Sequence, residues 1–325
     1  MKSIYPFILI LFFSCDTNNK INTDIEVYRF EKNLFNSNHV NIDKNKKEWE
    51  RVLGGFSSSY YGFLTNMDMD NDSLINNKLL SFINNDDMRE VFDTINKKFN
   101  VFSDYENHLN SSFYNFHSLF PKYGYPKIIT MFSGFNYGVI IQDSLIAVGL
   151  DFYLGENSVF YQRLGDPEYL RFQKQERFML PNIMEAWYDS FFSYTNNRSN
   201  FLSELIYKGK IMFLLSETLP EKKLEDKLRY SQEELSWCLE NESSIWSFLI
   251  ENDLLFSSRE KDYRSYLYHS PFSKGMTQDS PSRIAYFIGY QIVKKYMKIN
   301  KDISIQDLML EADHMLILNK SKYKP

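Results

Sequence analysis

Apolar positions recur every three to four residues over most of this chain, and the places where that rhythm changes divide it. From 43 to 120 the pattern is helical, with segments at 48–64, 73–99 and 105–119. Pro121 and the Tyr123-Gly124-Tyr125-Pro126 cluster close this half. After Asp166 and Pro167, placed as N-cap and first helical residue, the spacing predicts helices over 182–192, 200–216 and 231–252. The last opens with Ser231 and Glu234 at capping-box spacing, and Leu235, Cys238, Leu239, Ile245, Trp246 and Leu249 form its apolar stripe. Ser280 and Pro281 start another helix, in which Ile284, Phe287, Ile288, Ile292 and Tyr296 face inward. Gly289 sits in its middle, where glycine costs about 1 kcal/mol against alanine, so a close helix contact is expected there. Ser304 with Asp307 begins a final helix ending near Leu318.

Between these halves the rhythm gives way to short apolar runs at 127–132 and 139–150. They are interrupted by Ser133-Gly134-Phe135-Asn136-Tyr137-Gly138 and by Gln142-Asp143-Ser144, with Gly134 and Gly138 assigned to turns of positive φ. Ile128, Ile129 and Met131, with the runs at 139–141 and 145–148, are too continuously apolar for a sheet with one wet face. A further short strand is expected at 25–30, where Ile, Val and Phe alternate with Glu, Tyr and Arg. The fold class that follows is α+β and predominantly α-helical, with a small, mostly antiparallel sheet packed among helices. No repeat and no linker divides 24–325, which is expected to form a single globular domain.

The first residues follow a different logic. Lys2, an apolar run at 4–13 and Ser14 precede Cys15, the layout of a bacterial lipoprotein signal over 1–14 that leaves Cys15 acylated. That run is shorter than the roughly 20 residues needed to cross a bilayer. Residues 15–23 then read as a lipidated polar tether, and membrane lipid held through acylated Cys15 becomes the first expected partner. No later apolar stretch reaches bilayer length.

Composition narrows the function. Twenty-eight Phe and 23 Tyr point to a core dominated by ring packing. A net charge of −5 without a basic block excludes nucleic acid as an expected partner. The only cysteine besides Cys15 is Cys238, which lies on an apolar helical stripe and reads as a small buried hydrophobe.

Candidate chemistry is sparse. His39, His108, His117, His269 and His314 include no pair at i, i+4, and neither H-E-x-x-H nor a phosphate-cradling glycine motif occurs, so no cofactor is implied. Asp151, Asp166, Glu168, Glu185, Asp189 and Glu204 fall in the region expected to form a central cleft. With 42 acidic residues in the chain, some proximity arises by chance. The aromatic and glycine-rich stretch 123–153 either docks a protein partner or caps the sheet.

Several segments resemble the gliding-motility lipoprotein GldB family of Bacteroidetes: Ile25-Glu26-Val27-Tyr28-Arg29-Phe30-Glu31-Lys32, Pro121-Lys122-Tyr123-Gly124-Tyr125-Pro126, Phe132-Ser133-Gly134-Phe135-Asn136-Tyr137-Gly138 and Gly149-Leu150-Asp151-Phe152-Tyr153-Leu154-Gly155. The runs 202–210, 271–275 and 319–325 fit the same pattern. The resemblance implies a lipid-anchored cell-envelope protein of gliding motility and the linked type IX secretion machinery, with protein subunits of that apparatus as partners and no established catalytic role, so a non-catalytic binding or assembly component is expected. A more distant similarity is to zinc-dependent proteases. Aligned to them, the metal-ligand positions hold Trp187, Tyr188, Phe191 or Ser190, and Lys208 before Gly209. This implies a zincin-like scaffold without metal ligands, whose cleft and partner surface draw on Tyr123, Tyr125, Phe135, Tyr137, Asp151, Glu204 and Lys208. The rival readings are a cell-envelope hydrolase using the acidic residues and a periplasmic solute-binding lipoprotein.

Overall fold

A computed structural model describes residues 25–65, 72–193 and 198–325. The expected signal, Cys15 and the tether lie outside them. Four strands, β1 (Val27–Arg29), β2 (Lys127–Met131), β3 (Val139–Gln142) and β4 (Leu145–Gly149), form one sheet in the order β1-β2-β4-β3. Both β1 and β4 run parallel to β2, and only the β3–β4 hairpin is antiparallel. This corrects the antiparallel expectation: apolar runs this continuous are what parallel strands need when helices cover both of their faces.

Alternation along the strands divides the side chains between two cores. Ile129, Met131, Leu145 and Ala147 face one way. That face is covered by α1 (Phe30–Phe35), α2 (Ile42–Leu53), α3 (Phe56–Thr65), α4 (Asp72–Ile83) and α5 (Asp86–Lys98). Phe30 meets Trp49 and Tyr60 edge-on there, with ring centroids 5.2 and 5.3 Å apart. Ile128, Ile146 and Val148 face the larger core, which also takes in Val91 and Ile95 from the other side of α5 and continues with α6 (Ser103–Leu119). At the β1–β2 junction Glu31, fully buried, pairs with Arg29 at 2.6 Å and accepts a bond from Thr130, so a buried charge there is matched.

The rest of the chain supplies α7 (Val159–Arg163), α8 (Glu168–Phe172), α9 (Met179–Phe192), α10 (Phe201–Thr218), α11 (Leu224–Leu228), α12 (Gln232–Glu240), α13 (Glu242–Glu251), α14 (Glu260–Leu267), α15 (Ile284–Ile299), α16 (Ile305–Leu310) and α17 (His314–Ser321). Caps at Asn200, Ser231 and Ser304 start α10, α12 and α16, each with both reciprocal bonds of a capping box.

Several long helices expected from periodicity are divided. The breaks fall at Gly54 (φ 56°) and at Asn85, Asn241 and Asp313. Asn85 and Asp313 accept bonds from the backbone N–H of Met88 and Leu316, whereas the Asn241 amide donates to the Trp237 carbonyl. Short polar side chains compete with the helix for its own backbone groups, and the apolar period does not register that competition. Two expected starts also shift. Ser280 and Pro281 bind back to Thr277 and Ser273, and α15 begins after Arg283. Pro167 itself caps α8, while Asp166 pairs with Lys174 at 2.6 Å.

Helix α10 is buried on nearly all sides and crosses α15 at Gly209 and Gly289. A Cβ on Gly289 would stand 2.0 Å from the Leu205 carbonyl oxygen, and one on Gly209 would stand 2.2 Å from that of Gly289. The expected close contact at Gly289 is therefore backbone against backbone. Of the two loop glycines, Gly134 has positive φ, whereas Gly138 is required by space: a Cβ there would meet the Tyr153 hydroxyl at 2.4 Å. For G289A, the helix-propensity gain of about 1 kcal/mol is outweighed by a clash that no side-chain rotation relieves. We expect a net loss on the order of 1–3 kcal/mol, measured as a lowered urea midpoint; an unchanged or raised midpoint would refute the contact.

Candidate functional site

A cleft of about 330 Å³ opens where β3, α9, the end of α11 and the start of α15 meet. Helix α9 is two-faced here. Ile183, Met184, Trp187, Tyr188 and Phe192 enter the core, while Asn182, Glu185 and Asp189, at i, i+3 and i+7, line the cleft. Opposite them stand Arg229, which caps the end of α11 at φ 61°, and Arg283, which caps the start of α15 at φ 59°. Left-handed backbone is costly for a residue with a Cβ, and both arginines are held in it with their side chains directed at one carboxylate.

That carboxylate is Glu185. Arg229 Nη2 lies 2.7 Å from its Oε2, Lys208 Nζ 3.1 Å from its Oε1, and the Tyr286 hydroxyl donates to Oε1 at 3.0 Å. Arg283 Nη2 stands farther off, 3.8 Å from Oε2. Burial pushes the Glu185 carboxyl upward, but Arg229, Lys208 and Arg283 together outweigh it and hold the group well below the usual carboxylate range. Burial likewise opposes the charge on Lys208, and Tyr286, Glu185 and Asp189 more than restore it. Lys208 also bridges to Asp189 at 3.3 Å, and the Tyr207 hydroxyl donates to Asp189. Arg229 Nε donates to the Asn182 carbonyl oxygen at 2.8 Å, and the Asn182 amide donates to the Tyr153 hydroxyl at 3.0 Å. His269 completes the wall. Burial and the two arginines push its ring far below the usual histidine range, so it is neutral, and its buried Nδ1 has no hydrogen-bond partner.

A second cavity, of about 340 Å³, lies between β1, α6 and α9 over an apolar floor that includes Val27, Ile128 and Val148. Its rim charges form simple pairs, Lys98 with Glu176 at 2.9 Å and Arg177 with Asp226 at 3.0 Å. The cleft at Glu185 is the stronger candidate because its charges converge.

The residues singled out from sequence are dispersed. Lys208 is bonded directly to the cleft carboxylates, and Glu204 lies beside that group, paired with Arg198 at 3.6 Å. Tyr123 stacks on Phe191 at 4.0 Å, and Tyr125 packs against His117 at 4.8 Å; neither lines the cleft. Phe135 packs among Phe132, Phe160 and Tyr161, and Tyr137, half exposed, lies beside Phe63. Asp151 is fully buried and accepts from the Ser133 and Phe135 N–H groups at 2.8 and 2.6 Å and from the Ser133 hydroxyl at 2.9 Å. It pins the turn in which Gly134 and Phe135 both have positive φ.

The aligned metal-ligand positions do not converge. Trp187 packs on Phe113 and Phe191, and the Tyr188 hydroxyl bonds Thr218, both on the side of α9 away from Lys208. Among the described residues no group of three or more His, Cys, Asp and Glu could hold a metal ion. Cys238 is buried and its thiol is pushed up by burial, in keeping with a packing residue. Arg229, Arg283, His269, Tyr286 and Asn182 were not singled out from sequence, and no motif spacing links them.

Residues 14–325 match the family model described as gliding motility protein GldB, and the chain belongs to that family. No curated protein and no solved structure matches it. Among the described residues no helix is long and apolar enough to cross a membrane.

Two measurements probe this geometry. E185Q leaves the Lys208, Arg229 and Arg283 charges without their shared partner, and a loss of about 3–5 kcal/mol is expected in denaturant unfolding; a loss under about 1 kcal/mol would show that the cations are held by other groups. Asp151 responds to pH. Burial raises its carboxyl from 3.8 to about 6 despite its three hydrogen bonds, so between those values the folded chain keeps a proton that the unfolded chain releases. Its contribution to stability should therefore fall, by on the order of 3 kcal/mol, as pH rises through that window and level off above it. The unfolding free energy of D151N, subtracted from that of the wild type, should carry this slope, and a flat difference would contradict it.

Proposed function

We propose that this chain is a lipid-anchored cell-envelope component of gliding motility and the linked type IX secretion machinery, acting by binding and assembly rather than by catalysis. In this reading the cleft around Glu185 is its contact site, and protein subunits of the apparatus are its partners. Family membership supports the gliding role. The anchor rests on Cys15, which falls within the matched residues and outside the described ones.

The observation that carries the non-catalytic part is how the cleft's charges are engaged. A general base needs a free lone pair near its substrate and an affinity for protons suited to neutral pH. Both oxygens of Glu185 are held by cations, and its carboxyl is depressed rather than raised. His269 is driven the same way, too weakly basic to take a proton at neutral pH. Such a set presents fixed charge and hydrogen-bonding groups to a ligand, which suits recognition.

The test is complementation in cells lacking the chain. Wild type should restore gliding from the membrane fraction, whereas C15S should partition to the soluble fraction and restore little or none. Full gliding by soluble C15S would remove the anchor from the account. Peptide hydrolysis by purified wild type, lost in E185Q at equal folding, would favour the hydrolase reading instead.

A further inference from the structure

The cleft around Glu185 carries an excess of positive charge at its most buried point. Lys208, Arg229 and Arg283 face two carboxylates, Glu185 and Asp189, and the neighbouring Arg198–Glu204 pair is already balanced. The mismatch concentrates on Arg283. Its side chain is only 6% exposed, yet it reaches Glu185 at 3.8 Å and the Leu228 carbonyl at 3.4 Å, both long for a guanidinium. Its flat face lies 3.8 Å from the centre of the Tyr286 ring, which fixes the plane of its donor fork. His269, on the same wall, has a buried Nδ1 without a partner. Arg283 keeps this buried position from left-handed backbone at φ 59°, and His269 offers a donor beside it in the neutral tautomer that carries its proton on Nδ1.

We infer that the cleft binds a carboxylate group of its ligand, seated between the Arg283 guanidinium and the His269 ring; the inference rests on the binding role proposed above and names the chemistry of what is bound. One unmatched cation calls for one negative charge. A carboxylate supplies that, in a plane that suits a guanidinium fork, whereas a phosphate monoester brings about 1.5–2 charges and would leave the site negative. The cavity lies at the low end of the about 300–1,000 Å³ usual for ligand sites, room for a side chain or a chain end and not for a folded surface. Phe152 and the exposed ring of Tyr268 flank it and offer apolar contact to a residue beside the carboxylate. The carboxylate can come from an acidic side chain or from a polypeptide C-terminus, and the same chemistry reads both.

The experiment is calorimetric titration of the full lipidated chain in detergent with three short probes: acetyl-Leu-Glu-Ala-amide, its neutral counterpart acetyl-Leu-Gln-Ala-amide, and acetyl-Leu-Ala with a free C-terminus. One of the two carboxylate probes should bind at least tenfold more tightly than the neutral peptide, and which one does so identifies the source. In R283Q that preference should disappear while the melting transition is retained. If R283Q does not fold, the comparison among the three probes on the wild-type chain decides alone. Equal affinity for all three, or tighter binding of inorganic phosphate than of either carboxylate probe, would overturn the ligand class. Neither of those results touches the gliding role, which stands or falls by complementation with C15S.

Discussion

One buried carboxylate fixes how four helices meet. Glu185 on α9 is held by Lys208 from α10, Arg229 from the end of α11, and Tyr286 with Arg283 from the first turn of α15. Charges withdrawn from water are costly unless matched, so the elements that carry the close pairs to Glu185 have little freedom to shift relative to one another. Steric fit and electrostatics reinforce each other here. Gly209 and Gly289 let the α10 and α15 backbones touch, and Lys208 adjoins the first of them while Tyr286 sits one turn before the second. From helices set at that spacing, both side chains reach the carboxylate. The assembled group adds little net stability, because the attraction mostly offsets lost hydration, whereas removing one member is costly.

Much of the fold was legible in the chain, and what was not has identifiable causes. Capping chemistry is local, so the boxes at Ser231 and Ser304 could be read from three-residue spacing, whereas the start near Asn200 was read from apolar periodicity and its box with Ser203 was not. Gly289 could be read because a glycine inside an apolar helical stripe calls for a steric reason. Strand direction could not. Periodicity reports which faces are buried and carries no information about whether neighbouring strands run the same way, so the chain's return past β3 to place β4 beside β2 left no mark. The breaks at Asn85, Asn241 and Asp313 were hidden for a related reason: each depends on a single polar side chain making a backbone bond that an averaged pattern passes over.

The site was half legible. Glu185 and Asp189 were legible only as two of six carboxylates in the stretch expected to form a central cleft, and Lys208 entered through a distant resemblance. The cations that define the cleft's character did not. Arg229 and Arg283 meet Glu185 only through the tertiary fold, and each acts from a helix boundary whose left-handed backbone no propensity would assign to arginine. Asp151 shows the reverse case: a buried acid in a glycine-rich stretch reads as chemistry in the sequence, and its three hydrogen bonds make it the pin of a turn.

The mixed sheet carries a consequence for the order in which the chain assembles. The β3–β4 hairpin closes across two residues and can form within microseconds. Strand β1 must find β2 across a sequence separation of 101 residues, the span between Arg29 and its partner Thr130. Loop-closure entropy makes such pairings slow, and they follow nearby contacts in time. While β1 waits, the β1-side edge of β2 stands open with unpaired amides and carbonyls, the kind of edge at which extended chains aggregate. A fold that seals this edge with one of its earliest segments remains vulnerable until the hundred residues in between have been threaded into place.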